Sequence, residues 1–412
     1  MQEPGIEPGR RGWEPPIIAT RSHLRGHDKG NGFKRAVVRK PHDVQAKAET
    51  MHPASEPYTF PRGGLTATNR VVLAAMTNKQ SLPDGRVSDD EIRWLEARSK
   101  GGFGIVTTAA THVLEDGQGW EGEFGTWSDH HMEGLTRLAT SIRRHGAIGL
   151  AQLFHGGMRA PESITGIQPK SASTNPLGRG QGDARAMDEM EIHEVIEAFG
   201  SAAKRCEEAG FHGVELHGAH GYLIAQFLGA GTNRRTDDWG GDQKKRTKFL
   251  ESIVREVRRC TSANFIVGVR LSPELDSCGM NLEDALETLQ LCCSMELDFI
   301  HVSCWDIEKT GLYRGQQQHY TSIFRELMPM TIPLMTTGGI WTKDDATKGV
   351  GQGAEFIGVA RAGIAHPDWP IFLQDGAEEP ALPPFSEQWL ERAALNQTFI
   401  QYMRRWDGFV SN

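Results

Sequence analysis

The chain has 412 residues, a formal net charge of −8 and 38% hydrophobic residues. That length holds one large domain or two smaller ones, and the acidic balance offers no basic face for nucleic acid or anionic lipid. No apolar run approaches the roughly 20 residues that a membrane-spanning helix needs.

Residues Met1–Thr50 are rich in Pro, Gly, Arg and Lys and show no sustained apolar periodicity. Glu3, Glu7, Glu14 and Asp28 are unusual for a targeting peptide. A disordered extension is expected there, with residues 51–412 forming the organised domain and Met51 standing as an alternative start.

From residue 69 onward, short apolar runs alternate with longer amphipathic ones. Strands are predicted at Val71–Ala75, Gly104–Ala109, Ile148–Phe154, Gly213–Leu216, Phe265–Leu271, Phe299–Val302, Pro333–Thr337 and Phe356–Val359. Near-continuous apolar runs of this length suit parallel strands buried on both faces. Helices are predicted at Ser88–Lys100, Asp129–His145, Asp188–Ala209, Asp242–Arg259, Asn281–Met295 and Lys343–Gly351. Ser88 supplies a cap, and the acidic residues behind it suit the positive end of a helix. Gly102, Gly146, Gly210 and Gly353 end helices just before strands. The segment Ser386–Arg405 also reads as helical, and is expected to close the barrel or to join a subunit contact in a homo-oligomer.

Eight such units predict a single-domain closed (β/α)8 barrel, with a long capping loop, His155–Met187, after the third strand. The rival, an open doubly wound sheet, would carry Gly-x-Gly-x-x-Gly after its first strand. Ala75-Met76-Thr77-Asn78 stands there instead.

Barrels of this kind place their chemistry at strand C-terminal ends. The candidates are then Thr77, Ala110, Gln152, His155, His217, His220, Tyr222, Arg270, Gly338, Gly339 and Arg361. The last two units end in Thr336-Thr337-Gly338-Gly339 and Gly358-Val359-Ala360-Arg361, and together these loops favour a phosphate site over plain tight turns. Arg270 needs an anionic partner, either a protein carboxylate such as Glu215 or Glu274 or a ligand. Gln152 is a satisfied core amide or a group that reads a planar ring.

The fourth strand runs into Glu215-Leu-His217-Gly-Ala-His220-Gly-Tyr222. Two neutral imidazoles there can donate hydrogen bonds to one oxygen while Tyr222 protonates a nearby carbon. With Glu215 as a third ligand the same pair could instead hold a metal for hydrolysis. The six cysteines form no Cys-x-x-Cys pair, so reduced thiols of a cytoplasmic protein are expected, without a catalytic cysteine or iron–sulfur cluster.

Ordered pieces across residues 58–370 carry a resemblance. They include Asn69-Arg70-Val-Val-Leu-Ala-Ala-Met76-Thr77, Gln152-Leu-Phe-His155-Gly-Gly, His217-Gly-Ala-His220-Gly-Tyr222-Leu-Ile-Ala-Gln226 and Asn233-Arg-Arg235-Thr236-Asp237-Asp-Trp239-Gly240-Gly241. The chain resembles the Old Yellow Enzyme family of FMN-dependent ene-reductases. The resemblance implies FMN across the barrel mouth, NADPH or NADH as reductant, and a small-molecule substrate, an α,β-unsaturated carbonyl compound or similar electron-poor alkene. Ala75, Met76, Thr77, Ala110, Gln152 and Arg270 would surround the flavin ring, and Gly338, Gly339, Ala360 and Arg361 would hold its phosphate. His217 and His220 would bind the substrate oxygen, hydride would pass from flavin N5, and Tyr222 would donate the proton.

Ala75 replaces a frequent proline of the family, and Gly229-Ala230-Gly231 stands where Ser-Pro is common. The absence of a further iron–sulfur domain argues against the longer dienoyl-CoA reductase and amine dehydrogenase relatives. A metal-dependent barrel hydrolase using Glu215, His217 and His220 is the alternative from another class, and a flavin-binding protein without turnover is a third.

Overall fold

The computed structural model describes residues 51–178 and 181–411, so the extension expected over residues 1–50 lies outside the described residues. Eight parallel strands close into a barrel: β1 (Val71–Leu73), β2 (Ile105–His112), β3 (Ile148–Phe154), β4 (Gly213–Gly218), β5 (Ile266–Leu271), β6 (Phe299–Trp305), β7 (Leu334–Gly338) and β8 (Phe356–Val359). Each strand pairs with its sequence neighbours, and β8 closes on β1 through Gly358 opposite Val72.

Strand pleating sorts the interior by height, because every second side chain points inward. Val72, Ile105, Ile148, Leu150, Ile266, Phe299, Met335 and Phe356 make a dry lower layer. Gly268 leaves room for the Phe299 ring, which would sit 2.1 Å from a Cβ placed there. A short hairpin, Tyr58–Thr59 with Thr66–Ala67, brings Phe60 against Phe356, ring centroids 5.6 Å apart, and stoppers the N-terminal end. One and two steps higher on the same strands the inward residues become polar: Gln152, Glu215, His217, Arg270, His301, Ser303 and Thr337.

The outer helices are α1 (Asp89–Lys100), α2 (Met132–Arg143), α3 (Glu189–Ala209), α4 (Gln243–Cys260), α5 (Leu282–Cys292), α6 (Tyr320–Leu327), α7 (Lys343–Gly351) and α8 (Arg361–Ala365). Ser88 caps α1 by accepting from the Glu91 amide at 3.0 Å, and Asp188 opens α3 with a full capping box. Gly102, Gly146, Gly210 and Gly353 all adopt positive φ, as expected of residues that stop helices.

Two stretches differ from the sequence expectation. The capping segment after β3 is folded as a small three-stranded sheet of Lys170–Ser171, Asn175–Pro176 and Asp183–Ala186. Residues after β6 form a hairpin, Thr310–Tyr313 with Gln316–His319, and then α6, none of which the sequence reading predicts. The C-terminal segment is helical at Glu387–Arg392 and Gln397–Met403 and packs on the barrel flank. The fully buried Arg98 ties it there, donating to the carbonyls of Ala393, Gly363 and Ile364 at 2.7, 3.0 and 2.6 Å. Among the described residues no helix is long and apolar enough to cross a membrane.

Candidate active site

The polar upper layer is joined by hydrogen bonds beneath the barrel mouth. Gln152 Nε2 donates to Glu215 Oε1 at 2.6 Å, and His301 Nδ1 lies 2.7 Å from Glu215 Oε2. Burial works to raise the Glu215 carboxyl, but His301, Arg270 and Gln152 outweigh it and bring it down to about 2. Burial first, and then the Arg270 charge, hold the His301 imidazole below its usual value, while the same Arg270 charge favours the carboxylate. The pair is therefore an ionised Glu215 accepting from a neutral His301, whose Nε2 then accepts from the Thr337 hydroxyl at 2.7 Å.

This network answers two sequence questions. Glu215 is engaged by Gln152 and His301 rather than grouped with His217 and His220, and among the described residues no cluster of three or more His, Cys, Asp or Glu has metal-holding geometry. The amide nitrogen of Gln152 is satisfied within the protein. Arg270, in contrast, forms no ion pair with Glu215 or Glu274 among the described residues. It donates to the Ala75 carbonyl at 3.2 Å and to Ser303 Oγ at 3.0 Å, and its buried Nε has no partner. A buried, unpartnered guanidinium donor at the floor of the mouth is a place prepared for a ligand acceptor.

The His-His-Tyr turn lies directly above. His217 and His220 ring centroids are 5.0 Å apart and nearly perpendicular, and Tyr222 lies 4.8 Å from His217. His220 adopts φ of +60°, an uncommon conformation for a side chain of this kind, which lets the chain double back and gather the three rings. Burial is the largest influence on both imidazoles, and Arg270 adds to it; His217 falls to about 3 and His220 well below its usual value. Both are neutral near pH 7. His217 Nδ1 accepts from the Ala219 amide at 3.3 Å, so its proton sits on Nε2, the nitrogen free to donate.

Tyr222 is walled by Phe154 at 5.0 Å and Trp120 at 6.3 Å, with Ala110 in the same apolar group. The Arg159 guanidinium lies over its ring at 4.5 Å and donates to the His220 carbonyl. The fully buried Gln226 fixes these turns together: its Oε1 accepts from the Met158 amide and Ser171, and its Nε2 donates to the Gly156 and Gly221 carbonyls. His155 belongs to the scaffold instead of the chemistry. Its Nε2 meets Asp116 at 3.0 Å, and Asp116 also pairs with the buried Lys170 at 2.6 Å.

On the other side of the mouth, Ala75 is buried, and Met76, Thr77 and Ala360 are half-buried. Gly339, at φ of +64°, is exposed, as is Arg361, which forms no ion pair among the described residues. A Cβ at Gly338 would come within 2.6 Å of the Asp306 amide and 2.7 Å of the Trp305 carbonyl carbon, so only glycine lets β6 and β7 end this close. The pairing of β6 with β7 slips between Ser303 and Trp305, and Trp305 takes φ of +60°. The bulge turns this indole, 56% exposed, toward His220, with ring centroids 6.1 Å apart.

Ser303, His301, Trp305 and Arg159 are absent from the sequence-derived candidates. His301 and Ser303 were findable, since they alternate with Phe299 on the inward face of β6.

A closed parallel barrel with a glycine turn after β7, a helix opening directly after β8 and a polar mouth of this kind defines a class, the cofactor-binding barrel enzymes. A profile of the NADH:flavin oxidoreductase / NADH oxidase family matches residues 56–379, and the chain belongs to that family. It is an NAD(P)H-dependent flavin oxidoreductase, with FMN as cofactor. The probable NADH-dependent flavin oxidoreductase YqiG of Bacillus subtilis (strain 168) is 35% identical over 334 residues, 79% of this chain and 89% of that protein. NADH:acrylate oxidoreductase of Vibrio harveyi is 33% identical over 321 residues, 75% of this chain, but the chain spans 32% of that protein. Among solved structures, the old yellow enzyme homologue of Zymomonas mobilis has a TM-score of 0.69, covering 82% of this chain and 96% of that one; at 24% identity this likeness shows the fold.

Proposed function

We propose that the protein reduces the C=C bond of α,β-unsaturated carbonyl compounds and related electron-poor alkenes, with His217 and His220 gripping the activating oxygen and Tyr222 giving the proton. The observation that carries this reading is the convergence of a fixed Nε2–H donor on His217, a second neutral imidazole and a phenol within one turn.

FMN held in the mouth would supply the redox chemistry, hydride exchange between NADH or NADPH and the β carbon of the acceptor. Arg270 would face the polar edge of the ring, and its unpartnered Nε supports that placement. Ala75, Met76, Thr77, Ala110 and Gln152 would line the ring. The phosphate would rest on the amides of Gly338 and Gly339 with Ala360 and Arg361, in a turn where Gly339 takes φ of +64°. The imidazole donors matter most as negative charge gathers on the substrate oxygen, because a hydrogen bond to a developing anion strengthens along the reaction. Tyr222, held edge-on between His217 and Phe154, then protonates the α carbon. The six cysteines are all free, in keeping with a cytoplasmic setting.

The test is anaerobic. The holoenzyme is reduced with one equivalent of NADH or NADPH and mixed with 2-cyclohexenone, a nitroalkene or a maleimide. Reoxidation of the flavin with formation of the saturated product is expected. Reduction by nicotinamide with no reoxidation by any of the three would overturn the proposal.

A further inference from the structure

Two of the arginines at the mouth have a use in the reading above: Arg270 for the flavin ring and Arg361 for its phosphate. Arg159 has none. It stands in the turn after β3, half-buried, on the same side as Tyr222. Its contacts are the His220 carbonyl and the Tyr222 ring face, and no ion pair among the described residues involves it. A guanidinium offers five donors in a rigid fork, and neither a carbonyl nor a ring face satisfies that fork. An added Cβ at Gly221 would lie 3.8 Å from the Arg159 Nη1 atom, so that turn passes in ordinary contact distance of the cation. The capping sheet and Gln226 hold the turn in place, through Ser171 and the Met158 amide.

We propose that Arg159 is an anion subsite of the acceptor site, so that the preferred substrates are electron-poor alkenes carrying a carboxylate on the α-carbon side. The side follows from the contacts: Arg159 lies over Tyr222, the residue placed at the α carbon. A carboxylate matches the guanidinium fork in a bidentate pair, and the apolar Phe154 and Trp120 that wall Tyr222 limit how far water screens this side of the mouth. The inference rests on the ene-reductase reading and deepens it.

Ligand charge can be varied without turnover. The oxidised holoenzyme is titrated with 3- and 4-hydroxybenzoate and with the corresponding hydroxybenzamides, following the long-wavelength band that a phenol gives when stacked on the flavin. The readout is the benzoate-to-benzamide affinity ratio. Wild type is expected to favour one of the benzoates on the order of tenfold. Arg159→Gln should bring that ratio near one, and Arg159→Lys should restore part of it. Salt should weaken benzoate binding to wild type far more than benzamide binding, which needs no variant to fold. Equal ratios in wild type and Arg159→Gln, or no salt difference in wild type, overturn the subsite. If neither phenol class gives a band on a flavin-loaded protein, the clamp itself is wrong and the ene-reductase reading fails with it.

Discussion

The hydroxyl of Ser303 lies 2.8 Å from His220 Nε2, and it also receives a hydrogen bond from Arg270 at 3.0 Å. Arginine only donates, so Ser303 accepts from it, and His220 Nε2 is the partner left to take the serine proton. That assignment puts the His220 proton on Nδ1, the nitrogen turned away from Ser303. Both imidazoles then enter the mouth as donors, one through Nε2 and the other through Nδ1. Ser303→Ala should weaken phenol binding about tenfold, the worth of one lost charge-sensitive hydrogen bond. Ser303→Thr should recover most of it. An alanine variant that binds phenols as well as wild type would show that the serine does not set the tautomer.

Replacing Tyr222 with Phe separates the two halves of turnover. Reduction of the flavin by NADH or NADPH should stay within about twofold of wild type, while alkene reduction slows by about 10²–10⁴, the usual worth of a placed acid. Stopped-flow traces of the two half-reactions check this. Equal losses in both would remove Tyr222 from proton donation.

Gly338 and Gly339 should respond differently to alanine. At Gly338 the new Cβ meets backbone at 2.6 Å, so the ends of β6 and β7 must separate and FMN should be lost on purification. At Gly339 the nearest atom is the Asp306 Oδ1 at 3.4 Å, and the cost is the positive φ, about 1 kcal/mol. Flavin content after gel filtration distinguishes them. Full flavin in Gly338→Ala would refute the close-approach argument.

Stability should fall as pH drops from 6.5 to 4.5. Burial pushes His112 and His217 down to about 3, and His131 and His212 down to about 4. Each stays neutral in the fold while its unfolded counterpart, near 6.5, takes up a proton, so acid favours the unfolded chain. Buried Glu91, raised to about 7, and Glu123, raised well above its usual value, act the other way, being protonated in the fold and ionised in the unfolded chain. Four histidines outweigh two glutamates. The thermal midpoint measured at pH 7, 6 and 5 should decline, and a flat or rising series would contradict the balance.

All eight strands were legible because each buries both faces, and the apolar run marks its start well. Their ends were less so. β2 continues to His112 and β6 to Trp305, where inward Thr, His and Ser residues interrupt the apolar signal while the ladder goes on. The hairpin after β6 escaped notice because Gln316-Gln317-Gln318 carries no alternation of polarity. The His-His-Tyr turn stood out through its residue types. Arg159 could not, since its meaning comes from Tyr222, 63 positions away and brought near only by the closed barrel.

The touching backbones of Gly338 and Trp305 carry a lesson for protein engineering. Side-chain libraries at Trp305 can reshape the aromatic edge of the entrance, since its indole projects outward. Diversifying Gly338 would push apart the main chain beneath it, so the two sites belong in separate rounds of selection, the glycine held constant throughout.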